Sequence, residues 1–321
     1  MRPQPDRRIR GDTILTMTDG PIPSHPGRPA ARALALRTAL LVDDADAGAD
    51  GNGPTTTAAD AVIFDLTFGV VPRPAGQREG ARESAARRIA TVAAAGRDAH
   101  ARVSPARSGE MEGDLRAVVR KALAAVVLSG AEIAQDVRDA DVGIRRFEMQ
   151  RQMPAGEVRL IAEIDSAAGV AALPALLAAV DRHSAVVLNV DGLSVDLGFD
   201  GDDILGGPAI DHAMWDVALA ARAASNGGLP WIVASPPASA EQRARVAARA
   251  REFGAAGVFV ATEPEVRGLN SLFTPEAALV EAARVTVAGW DRAFGHDRRA
   301  LRRAQLLLAQ AGAIERRERV R

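Results

Sequence analysis

The stretch "DAVIFDL", residues 60–66, carries aliphatic and aromatic side chains at successive positions. A strand with one exposed face alternates apolar and polar residues, whereas a strand buried on both faces is apolar throughout. This stretch therefore predicts a strand inside a parallel sheet whose two faces are both covered.

Seven further runs of this kind follow the same pattern, and helical segments separate most of them. Strand–helix alternation repeated eight times favours an α/β fold, a parallel (β/α)8 TIM barrel with extra C-terminal helices. An open doubly wound sheet of eight strands is the alternative. The predicted strands are 33–42, 60–66, 98–104, 123–129, 157–165, 184–191, 230–235 and 256–262. The predicted helices of the barrel are 83–96, 131–150, 170–183, 211–228 and 239–254.

Three regions are expected along the chain. Residues 1–32 are rich in Pro, Arg, Asp and Gly without periodicity, which predicts a flexible tail. Residues 33–273 form the barrel. Residues 274–321 form a helical extension or lid with two helices, 274–290 and 297–312. The second has an apolar stripe that is typical of docking against the barrel or against a second copy.

Composition excludes several classes of function. The chain has no cysteine, so a thiolate nucleophile, an iron–sulfur cluster and a disulfide are ruled out, and a cytoplasmic location is expected. A net charge of −1 and 3% aromatic residues argue against a nucleic-acid partner. No apolar run is long enough to span a membrane. The only lysine, Lys121, lies in a helical-looking segment (115–125) before a strand, which argues against Schiff-base chemistry.

Several segments, in this order, resemble the citrate lyase beta-chain family within the HpcH/HpaI aldolase/citrate lyase superfamily. The resemblance runs from about Arg37 to Leu308, and the order and spacing of the segments carry it rather than any one motif. The segments are "DAVIFDLTFGVVP" (60–72), "REGAR" (78–82), "RVSP" (102–105), "IDSAAGV" (164–170), "LNVDGLSVDLG" (188–198) and "LNSLFTPE" (269–276).

The resemblance implies a Mg²⁺-dependent carbon–carbon lyase or aldolase that acts on an acyl-CoA or a 2-oxo acid through a metal-stabilised enolate. It also implies a homo-oligomer, trimeric by analogy with the family. Asp165 and Asp191 would be the metal ligands, Arg102 would bind the substrate, and Asp297 would be an acid from a C-terminal lid.

Each of these residues has a plainer interpretation. Arg102 would be a surface arginine or form a salt bridge within the barrel mouth, and Asp165 and Asp297 would cap the helices that follow them. Asp191 would form a turn with Gly192, as an Asp-Gly pair favours. Counting back from Leu197 places the family's metal ligand on Gly192, so Asp191 takes that role if the loop has one residue more.

Glu163 lies two residues before Asp165, so the two side chains point to the same side of a strand. If that side is the barrel interior, Glu163 is a buried carboxylate that needs a partner, and Arg102 is a candidate.

Other family positions have lost their usual residues. Thr67 and Phe68 replace a Glu-Asp pair that supports the metal, and Ser129 and Gly130 replace Pro-Lys. Groups around a metal site orient its ligands, so losing several of them weakens the metal chemistry. The alternative function is therefore a catalytically degenerate barrel that is retained for ligand binding or assembly.

Overall fold

The computed structural model of this chain covers most of the sequence. The predicted flexible tail, Phe68 and Asp297 lie outside the residues that it describes. The described residues are 35–42, 57–67, 75–199, 207–224, 228–235, 238–290 and 298–320.

Eight parallel strands close into a barrel in which each strand pairs with its neighbours in chain order and β1 pairs with β8. The predicted α/β barrel is thereby confirmed, and the open sheet is excluded. The strands are β1 (Thr38–Val42), β2 (Ala61–Asp65), β3 (Asp98–Val103), β4 (Leu123–Leu128), β5 (Arg159–Ile164), β6 (His183–Asn189), β7 (Trp231–Ala234) and β8 (Gly257–Val260).

Helices follow the strands and cover the outside of the barrel. The helices after β2 to β5 are α1 (Ala75–Ala94), α2 (Met111–Val118), α3 (Ala134–Gln150) and α4 (Ala167–Ala178), with a 3-10 turn at Ala106–Ser108. The later helices are α5 (Val190–Asp196), α6 (Pro208–Ala223), α7 (Ala240–Glu252), α8 (Glu263–Phe273), α9 (Ala277–Gly289) and α10 (Arg298–Val320). None of the described helices is long and apolar enough to cross a membrane.

Several predicted boundaries differ from the structure, and three of them bear on the site or on the order of elements. The helix predicted at 170–183 begins at Ala167, because the Ser166 side chain accepts a hydrogen bond from the Gly169 amide and caps it. The helical interpretation of 115–125 fails after Val118, since β4 already begins at Leu123. The sixth strand ends at Asn189 rather than at 191.

Alternation along the strands determines which side chains face the barrel axis. Small and β-branched residues of alternate positions form one buried cluster inside the barrel, separate from the larger cluster between strands and helices. Continuing the same alternation toward the C-terminal strand ends brings polar residues to one opening, the mouth. The interior alanines are Ala39, Ala61, Ala125, Ala185 and Ala234.

The opposite end of the barrel, its base, is closed by charged contacts. Asp60 is fully buried and accepts hydrogen bonds from the backbone N–H, Nε and Nη2 of Arg37, at 2.8, 3.0 and 3.0 Å. The last turns of α10 contact the same place. Glu318 accepts from Arg37 Nη1 at 2.9 Å, and Arg317 pairs with Asp98 at 2.6 Å.

We expect Asp60→Ala to destabilise the fold by about 3 kcal/mol or more, because it leaves the buried Arg37 guanidinium without its main partner. Glu318→Gln is the matched control: the Glu318 side chain is 52% exposed, so its loss should cost less than about 1 kcal/mol. Urea unfolding of both variants measures the difference. Equal losses in the two variants would contradict the assignment of Asp60 as the anchor of the base.

Candidate functional site

Arg102, at the end of β3, is the centre of the polar mouth. Its Nε and Nη2 donate to the two carboxylate oxygens of Glu163 at 2.6 and 2.7 Å. Its Nη1 donates to Asp65 Oδ2 at 3.0 Å and to Thr67 Oγ1 at 2.6 Å. The predicted salt-bridge interpretation of Arg102 and the predicted partnership with Glu163 are therefore both confirmed.

Charge pairing determines the protonation of this arginine. Burial alone would lower the pKa of Arg102, but the negative charges of Glu163 and Asp65 outweigh it and raise that pKa above its ordinary value. Arg102 is a permanent cation in this site, and its partner Glu163 is fully buried.

Asn189, the last residue of β6, connects this ion pair to the next helix. Its Nδ2 donates to Glu163 Oε1 at 2.7 Å, while its Oδ1 accepts from the Gly192 amide at 3.1 Å and so caps α5. One side chain therefore fixes both the Glu163 carboxylate and the first turn of α5.

Asp165 follows β5 and borders the same opening. Burial is the main reason that the pKa of Asp165 is raised to about 6, and the nearby charge of Glu163 adds to it. Gly130 lies behind its carboxylate: a Cβ at Gly130 would be 3.8 Å from Asp165 Oδ2. The structure assigns the cap of α4 to Ser166, so Asp165 is not the residue whose side chain caps this helix.

Gly192 contacts Asp165 directly. A Cβ at position 192 would lie 2.7 Å from the Asp165 Cβ, closer than two such atoms approach in proteins. The position at which counting back from Leu197 places the family's metal-binding carboxylate therefore holds no side chain, and a side chain there would require α5 or Asp165 to shift.

Asp191 contacts Ser235. Its Oδ2 accepts a hydrogen bond from Ser235 Oγ at 2.9 Å, at the end of β7. Burial raises the pKa of Asp191, against the lowering effect of the hydrogen bond from Ser235. The strand does not reach Asp191, which lies in the first turn of α5 instead.

These placements bear on Mg²⁺, which requires oxygen ligands in near-octahedral geometry. Among the described residues, no group of three His, Cys, Asp or Glu side chains could hold a metal ion. Asp191 accepts a hydrogen bond from Ser235, and position 192, where the family pattern places a metal carboxylate, holds a glycine. The donor set therefore does not match the carboxylate pair that the family resemblance implies.

Two residues of the mouth were missed from the sequence. Asp65 and Asn189 follow the interior alternation of β2 and β6, after Ile63 and Val187, so strand parity could have identified them. Thr67 was noted only as a lost carboxylate, but its hydroxyl donates to Asp65 Oδ1 at 2.7 Å and accepts from Arg102. Asp297 cannot be placed, since it lies outside the described residues.

The fold and mouth define a parallel barrel with an ion-paired arginine and a buried carboxylate at the C-terminal strand ends, an arrangement typical of barrel enzymes. The HpcH/HpaI aldolase/citrate lyase family model matches residues 53–263. The chain therefore belongs to the HpcH/HpaI aldolase/citrate lyase family.

Solved structures share this fold at low sequence identity. A citrate lyase from Burkholderia xenovorans LB400 is 16% identical with a TM-score of 0.70, covering 87% of this chain and 92% of that one. CitE from Mycobacterium tuberculosis, in complex with magnesium, acetoacetate and coenzyme A, is 21% identical with a TM-score of 0.61, covering 88% and 99%.

A malate synthase from Haloferax volcanii, in a pyruvate and acetyl-CoA complex, is 17% identical with a TM-score of 0.60, covering 75% of this chain and 70% of that one. No curated protein matches the sequence. At these identities the solved structures support the fold, and the family model supports the membership.

We expect Gly192→Ala to destabilise the protein by about 1–3 kcal/mol, because the new methyl group overlaps the Asp165 Cβ. Gly268→Ala is the matched control: it lies in α8 with no atom within 4 Å of its Cβ, so alanine should stabilise that helix slightly. Denaturant unfolding of both variants tests this. A neutral Gly192→Ala would mean that α5 approaches Asp165 less closely than described.

We expect Asp165→Asn to be more stable than the parent at pH 7 by on the order of 2 kcal/mol, and to lose this advantage at pH 4. The pKa of Asp165 is raised to about 6 in the folded state, so ionisation costs folding free energy as pH rises from about 4 to 6. Unfolding of both proteins across this range in EDTA measures it. A stability difference independent of pH would refute the raised pKa.

Proposed function

We propose that this protein is a catalytically degenerate member of its family that binds a small molecule at the barrel mouth and lacks metal-assisted carbon–carbon lyase activity. The contact between Gly192 and Asp165 carries this proposal. Counting back from Leu197 places the family's second metal carboxylate at position 192, which holds a glycine, and a Cβ there would lie only 2.7 Å from the Asp165 Cβ.

The state of Arg102 supports the same conclusion. In the family-like reaction, an arginine at this place would direct its planar fork at the substrate. Here the fork faces Glu163, and the remaining Nη1 faces Asp65 and Thr67. The arginine therefore acts first as part of the protein's own ion-pair network.

A second candidate is the Mg²⁺-dependent lyase or aldolase acting on an acyl-CoA or a 2-oxo acid. The half-buried carboxylate of Asp165 favours it, as do the magnesium, acetoacetate and coenzyme A of the CitE complex. Asp165 and Asp191 would hold the ion through bridging waters, Arg102 would bind the substrate, and Asp297 would supply an acid. A bound Mg²⁺ would polarise an oxygen on which negative charge develops.

Both candidate functions are compatible with the predicted homo-oligomer, which is trimeric by family resemblance. Both are also compatible with the predicted cytoplasmic location. Each of these stays a prediction, as does the role of 274–321 as a lid, since the described contacts of α10 with β1 to β3 lie at the base of the barrel.

Calorimetric titration of the full chain with Mg²⁺, followed by assays with short acyl-CoA esters and 2-oxo acids, distinguishes the candidates. We expect no saturable Mg²⁺ uptake at submillimolar concentration and no cleavage products. Asp139→Ala, at an exposed position on α3, is the matched control for Asp165→Ala. Mg²⁺ uptake that Asp165→Ala abolishes and Asp139→Ala preserves, together with Arg102-dependent cleavage, would overturn the proposal in favour of the lyase.

A further inference from the structure

Resting on the proposed function, we propose that the ligand group recognised by Arg102 is an uncharged oxygen acceptor, such as the carbonyl of an amide, ester or aldehyde. By the same arrangement the mouth discriminates against carboxylates. Glu163 and Asp65 are the specificity-determining residues, because their contacts decide what Arg102 can still offer to a ligand.

Arg102 has few N–H donors left for a ligand. A guanidinium has five N–H donors. Glu163 takes the Nε donor and one Nη2 donor, and Asp65 and Thr67 take the two Nη1 donors. Among the residues that the structure describes, none accepts the second N–H of Nη2. A carboxylate ligand is best bound by two parallel N–H groups, whereas a carbonyl oxygen needs only one.

The carboxylates around Arg102 outnumber its single positive charge. One guanidinium faces the two carboxylates that it contacts, and Asp165 adds a third carboxylate close by. Arg107, which follows β3 near the mouth, is also paired, because it contacts Glu132 and Asp136. A bound carboxylate would add a like charge to a set of described residues that already carries more negative than positive charge, whereas an uncharged carbonyl adds none.

Glu163 is held in place beside Arg102. A carboxylate ligand could bind Arg102 in a fork only if Glu163 released it. Glu163 has no exposed surface, and the Asn189 amide holds its Oε1. Releasing the arginine would leave a fully buried carboxylate without its counter-ion, which is strongly unfavourable. Glu163 therefore keeps the fork closed when a ligand arrives.

Pyruvate and pyruvamide form a matched pair of probes, because they share size and ketone and differ in one charged or uncharged group. Each is titrated in EDTA into the ¹⁵N-labelled full chain, and the Nε–H signal of Arg102 is followed after assignment with Arg102→Lys. We expect pyruvamide to bind about tenfold or more tightly than pyruvate. Equal or tighter binding of pyruvate, or no binding of either probe, would overturn the inference.

Glu163→Gln removes one negative charge and opens the fork, so it should shift the preference toward pyruvate by about tenfold. Asp65→Asn, at a more exposed position, should act in the same direction and serves if Glu163→Gln does not fold. Glu148→Gln is the matched control: Glu148 is also buried and binds both Nη groups of Arg182, at 2.9 and 3.0 Å, but away from the mouth. It should leave the preference unchanged, and a control shift equal to that of Glu163→Gln would refute the assignment.

This experiment separates the two proposals. A preference for pyruvate in EDTA, without Mg²⁺ uptake or cleavage, overturns the inference and leaves the proposed function intact. Mg²⁺-dependent cleavage of a 2-oxo acid overturns the proposed function itself, whatever the preference measured in EDTA.

Discussion

The ion pair between Arg102 and Glu163 constrains the polar groups that contact it, Asp65, Thr67 and Asn189. A carboxylate with no exposed surface is tolerated only beside a counter-ion and with its remaining lone pairs satisfied. Arg102 supplies the counter-ion and Asn189 the additional donor. Because Asn189 also caps α5, the requirement of one buried charge extends to the position of the next helix and of Gly192 within it.

Two departures from the family pattern each replace a carboxylate with an uncharged residue. Thr67 and Gly192 stand where the resemblance expects carboxylates, so the mouth carries fewer negative charges than that pattern implies. The hydroxyl of Thr67 still joins Arg102 to Asp65, so the network stays connected although the charge is lost.

The barrel could be predicted because strands buried on both faces are apolar throughout, and such continuous apolar runs are easy to recognise in a sequence. The pairing of Glu163 could also be predicted, since strand parity placed a carboxylate inside and burial demanded a partner. The sequence did not reveal the roles of Asp191 and Asn189. Whether a strand continues or a helix begins at these residues depends on the Asn189 side chain, which meets both Glu163 and the Gly192 amide only in the folded chain.

The contacts at the base have a consequence for biosynthesis. Arg37 immediately precedes the first strand, and its guanidinium is shared between Asp60 and Glu318, which lie 23 and 281 residues further along the chain. A nascent chain can form the Asp60 contact early, but this end of the barrel is completed only after residue 318 has left the ribosome. Until then the Arg37 guanidinium lacks the Glu318 contact that α10 supplies.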